Sequence, residues 1–145
     1  MWTVTHRRET SARAEAIFAR YADPASWPEW DAGLERLDLD GPFVAGTTGT
    51  MVPRGQDPLP MRLVAVDAGR GFEDETPVPG AGVVVRVRHQ LEPLERGGTL
   101  ITHTLTIDGP AADAVGPTLG AAITADFPQT MAALAACAEG TLAAR

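Results

Sequence analysis

The chain has 145 residues, a formal net charge of −7 and 44% hydrophobic residues, the balance of one globular domain over 1–145 that needs neither disulfide nor metal to hold a core. All 12 basic residues are arginines, which excludes a Walker A loop and a Schiff-base lysine, and the acid excess argues against nucleic acid as the main partner. The single cysteine, Cys137, excludes an internal disulfide and a multi-cysteine zinc site; no apolar run approaches the ~20 residues of a membrane span, and charges stand within Met1–Thr10 where a signal peptide is apolar, so a cytoplasmic protein with no membrane partner is expected.

Residues 2–9 alternate, with Trp2, Val4 and His6 on one side, and predict a strand. Ser11 stands before the helix formers Ala12–Tyr21 as an N-cap, and Ile17, Phe18 and Tyr21 give that helix an apolar side. Two prolines and Asp23 make Ala22–Asp31 a short, turn-rich helical segment. From Gly33 to Ile107 the signals are all β. Strands are predicted at Leu34–Leu39, Thr47–Val52, Met61–Val66, Gly71–Thr76, Val83–Leu91 and Thr99–Ile107, separated by Gly, Pro and Asp turns every ten or so residues, which indicates an antiparallel meander. After Gly109-Pro110 the period changes to that of a helix. Leu119, Ile123, Phe127, Met131 and Leu134 form one apolar stripe from about Ala111 to Leu142, with irregularity expected at Gly116-Pro117 and a kink or fresh start at Pro128. The whole reads as α+β. A sheet this long twists and curls, and the C-terminal helix covers its concave side.

Three stretches carry a family resemblance: Asp23 with Trp27-Pro28-Glu29-Trp30, then Gly46-Thr47, then Gly97-Gly98-Thr99 running through His103 to Gly109-Pro110. In that order the chain resembles the SRPBCC superfamily, the helix-grip fold of START domains, birch-pollen-allergen-like proteins and polyketide cyclases. The resemblance implies a curved antiparallel sheet wrapped around a long C-terminal helix, with two short helices after the first strand. It also implies a hydrophobic cavity for a small organic ligand and, in some members, a cyclisation or dehydration there. From aromatic-polyketide cyclases the chain departs in two ways: its only tyrosine, Tyr21, is on the first helix, and its middle strands offer Arg62 and little else.

The two longest strands show where chemistry could reside. Arginine takes the wet side, so Val83, Val85, Val87, His89 and Leu91 face inward, as do Thr99, Ile101, His103, Leu105 and Ile107. A turn centred on Arg96 sets His89 directly opposite His103, with Cβ atoms about 4.5–5.5 Å apart. Such a pair titrates as a unit and could act as acid and base, could orient a ligand, or could be two hydrogen-bonded core side chains. His6 shares a face with Trp2 and Val4. If that face is inward, three histidines approach one another, but no carboxylate or cysteine stands at ligand spacing, and no metal or other cofactor is expected. Trp30, Met51, Met61, Phe72, Phe127 and Met131 are the other candidates for the cavity wall, while Trp27 reads as a corner residue. Glu73-Asp74-Glu75 reads as a solvated run in which alternation could turn one carboxylate inward.

The expected function is binding of a small hydrophobic or aromatic ligand between sheet and C-terminal helix. The alternative is a cyclase or dehydratase acting on a polyketide-like intermediate, with His89 and His103 as acid and base. A third possibility, a protein-interaction module, requires an exposed apolar patch, for which only Val84 and Leu100 offer material.

Overall fold

The computed structural model describes residues 1–140. Strand β1 (Trp2–Thr10) leads into helix α1 (Ala14–Tyr21), a 3-10 turn at Pro24–Ser26 and the short helix α2 (Trp27–Trp30). Strands β2 (Leu34–Leu39), β3 (Thr48–Pro53), β4 (Leu59–Asp67), β5 (Gly71–Val78), β6 (Val83–Pro93) and β7 (Thr99–Asp108) follow, then helices α3 (Ala112–Thr124) and α4 (Phe127–Glu139). The seven strands form one antiparallel sheet in the order β1-β7-β6-β5-β4-β3-β2, so the first strand returns to lie beside the last. Each predicted strand is present, and the alternation that suggested it also sets its inner face. Val83, Val85, His89 and Leu91 of β6 are buried, whereas Arg88 and Gln90 are exposed.

Two expectations about helices are corrected. Ser11 is exposed and does not cap α1. Thr10, buried at the end of β1, takes that place, its Oγ1 accepting the Ala12 N–H at 3.1 Å and bonding the Glu139 carboxylate, so the helix starts only at Ala14. The C-terminal rod is two helices. Pro128 falls in the first turn of α4, where its missing N–H costs no intrahelical bond, and the chain therefore breaks and restarts between Thr124 and Phe127. The predicted end near Leu142 lies outside the described residues.

This break divides the apolar stripe between two clusters. Leu119, Ile123 and Phe127 pack with Val85, Leu105 and Ile107, while Met131 and Leu134 pack with Ile17, Tyr21, Trp27 and Leu63. Helix α3 lies directly on Trp2, because Gly116 and Gly120 present no side chain there; a Cβ at Gly120 would stand 2.0 Å from the indole ring. On the outer face of the sheet, Glu75 holds Arg62 at 2.8 Å and Arg86 at 3.1 Å, and Glu73 holds Arg88 at 3.3 Å. No helix among the described residues is long and apolar enough to cross a membrane.

Candidate functional site

A cavity of about 290 Å³ lies where the two apolar clusters meet, under the joint between α3 and α4. Its sheet wall is formed by Asp74, Thr76 and Val78 of β5, by Val85, Val87 and His89 of β6 and by His103 of β7. Trp27 and Trp30 of α2, with Asp31 just after it, form one side, Met51 of β3 and the loop residues Gln56 and Leu59 a second. Ile123, Asp126, Phe127 and Thr130 close it from the helices.

Five of the eight residues expected on this wall are on it: Trp30, Met51, His89, His103 and Phe127. Met61, Phe72 and Met131 are not. Each points inward but is spent on core packing, at 4%, 4% and 1% exposed. Phe72 stacks flat on His89, with ring centroids 3.9 Å apart and 7° between planes, and so lies behind the imidazole.

The hairpin register is symmetric about Arg96, and His89 pairs with His103. Their ring centroids are 4.6 Å apart in an edge-on arrangement. On the far side His103 pairs with His6 of β1, so the three histidines form a row across three strands. His6 is half-buried and edges against Phe127. Among the described residues no group of three His, Cys, Asp or Glu side chains is placed to hold a metal ion.

Tyr21 completes the histidine cluster. Helix α1 delivers its phenol, fully buried, to within 2.8 Å of His103 Nε2. The Tyr21 carbonyl accepts the Trp27 indole N–H at 3.0 Å, which ties α1 to α2. The sequence placed Tyr21 on an apolar helix face, and nothing in that pattern says which strand the face meets. Burial pushes the phenol's pKa up, so the group stays protonated. Burial, with His6 as a like charge, holds His103 down to about 3. Burial, with His103 as a like charge, holds His89 well below the usual histidine value. Both rings are therefore neutral at pH ~7. Tyr21→Phe leaves His103 Nε2 without its partner and is expected to cost about 1–3 kcal/mol, read from urea denaturation.

The carboxylates behave in the opposite sense. On β5, Glu73 and Glu75 turn outward to the arginines and Asp74 turns into the cavity. Burial, aided by the neighbouring Glu73 charge, raises Asp74 to about 7. Asp31 is raised to about 6 by burial and by Asp126, against a stabilising hydrogen bond from the Gly33 N–H. Asp31 follows α2 and Asp126 precedes α4, so the break in the C-terminal helix is what brings these two acids together. The sequence carries no sign of that approach. Two buried polar nitrogens, Trp30 Nε1 and His89 Nδ1, have no hydrogen-bond partner among the described residues. Arg62, the one basic group expected on the middle strands, is on the outer face with Glu75.

A family model described as polyketide cyclase / dehydrase and lipid transport matches residues 1–139. No curated protein sequence matches the chain. Among solved structures, norcoclaurine synthase from Thalictrum flavum in complex with dopamine and hydroxybenzaldehyde is similar with a TM-score of 0.73 and 17% identity, over 98% of this chain and 88% of that one. Protein MLL2253 from Mesorhizobium loti is similar with a TM-score of 0.75 and 18% identity, over 96% and 98% of the two chains. The Aha1 dimer from Colwellia psychrerythraea is similar with a TM-score of 0.74 and 16% identity, over 99% and 100%. At such identities the likeness is one of fold.

Proposed function

We propose that this chain, which belongs to the polyketide cyclase / dehydrase and lipid transport family, binds a small hydrophobic or aromatic organic ligand in the cavity between sheet and C-terminal helices. The supporting observation is a hollow of about 290 Å³ with largely apolar walls, beside two buried nitrogens that have no partner among the described residues. Buried polar groups are nearly always hydrogen-bonded, so such a pair beside a hollow suits a guest that completes it. The volume is at the lower limit of the ~300–1,000 Å³ usual for ligand pockets, which suits one or two rings. A fold neighbour that holds dopamine and hydroxybenzaldehyde supports the same size class.

Asp74 favours a second reading, a cyclase or dehydratase. A carboxyl poised at about 7 inside a cavity can both give and take a proton at neutral pH. In this reading His89 and His103, neutral and held low, serve as hydrogen-bonding or weakly basic groups, and Asp74 is the acid. Native mass spectrometry of the protein with a panel of one- and two-ring aromatic compounds tests both readings. Ligand binding predicts a one-to-one complex released unchanged. Catalysis predicts release of a compound lighter by one water. A panel that leaves only free protein overturns the binding reading.

A further inference from the structure

We propose that the cavity selects a cationic guest, a small aromatic amine whose ammonium is held by Asp74 and by the Asp31–Asp126 pair. This deepens the reading of the cavity as a ligand site and rests on it. The lining includes three carboxylates and no arginine. That imbalance is local. Glu73 and Glu75, on either side of Asp74 along the strand, each meet arginine on the outer face. Every ion pair among the described residues lies away from Asp31, Asp74 and Asp126. The histidines do not supply the missing charge, since burial keeps both rings neutral.

An independent feature of the same wall also calls for a guest. Trp30 is 3% exposed and its indole N–H finds no acceptor, and His89, 7% exposed, leaves Nδ1 without a partner. A bound molecule can satisfy these groups, whereas a packed core could not leave them so. The walls suit a cation in a second way. Trp27, Trp30 and Phe127 present aromatic rings, and an ammonium over such a face is attracted by the ring quadrupole. A carboxylate guest would instead meet three like charges.

Isothermal titration of the intact protein with phenethylamine, phenethyl alcohol and phenylpropanoate near neutral pH tests the assignment. The three probes share a ring and differ in the charge of the tail. The expected order is amine tightest, by about tenfold over the alcohol, with the acid weakest. Asp74→Asn and Asp31→Asn are expected to remove most of the preference for the amine and to leave the alcohol's affinity unchanged. An alcohol that binds as tightly as the amine overturns the cationic guest while leaving the cavity as a ligand site. A preference for the amine that survives both substitutions overturns the assignment to these carboxylates. Failure of all three probes to bind at millimolar concentration overturns the ligand-site reading and, with it, this one.

Discussion

Asp74→Asn is expected to stabilise the ligand-free protein by about 2 kcal/mol at alkaline pH and to change nothing in mild acid. The Asp74 carboxyl titrates at about 7 in the folded chain against 3.8 for a free aspartate. Folding therefore favours its protonated form. The favourable contribution is complete below the unfolded value and is lost as pH rises through about 7, where the ionised group must remain charged among Leu63, Val87 and other apolar neighbours. A shift of this size corresponds to about 4 kcal/mol in full; the opening of the cavity to water reduces it to about half. Asparagine keeps the shape without the charge. Urea denaturation of both proteins across pH reads the effect as midpoints that coincide near pH ~4 and diverge above pH ~7. A constant offset at all pH values would show that the substitution acts through packing, and the account of Asp74 as a desolvated acid would fall.

The larger loss is expected at Gly71, where Ala should cost about 3–5 kcal/mol. Gly71 opens β5 at φ 148°, and a Cβ there would stand 1.9 Å from the His89 carbonyl oxygen. That contact is backbone on both sides, so no rotamer change relieves it. Strand β5 would have to move off β6 at the very place where Phe72 stacks on His89. Gly69, in the same turn, is the matched control. Its φ is 77°, but a Cβ would meet nothing within 4 Å, so Gly69→Ala carries only the cost of left-handed backbone, about 1 kcal/mol. Thermal denaturation of the two variants side by side separates strain from collision. Equal losses would mean that the approach of β5 to His89 is looser than the backbone geometry indicates.

The parts of this molecule that follow from local rules were legible in its sequence. Period-two alternation marked every strand and its inner face. The turn at Arg96 placed His89 opposite His103, because hairpin pairing is symmetric about its turn. Alternation also allowed one acid of Glu73-Asp74-Glu75 to turn inward, and Asp74 does. What alternation cannot convey is depth. Met61, Phe72 and Met131 are as inward as Met51 but lie where neighbours fill the space, so they are core and Met51 is wall. Tyr21 meets His103 across 82 positions of chain, and Asp31 meets Asp126 across a helix break. Those contacts depend on how helices dock, which no short-range pattern encodes. The N-cap error at Ser11 has the same origin, since Thr10 is fixed from outside by Glu139.

Two of the three tryptophans, Trp27 and Trp30, have ring centroids 5.3 Å apart in the cavity wall, while Trp2 packs beneath α3 and takes no part in that wall. The protein thus carries its own optical gauge. Light emitted by the paired indoles is sensitive to whatever displaces solvent beside them, and the third indole supplies a steady background. Occupancy can be followed in a cuvette with no dye attached, in a chain whose lack of lysine would in any case leave amine-directed dyes almost nothing to react with.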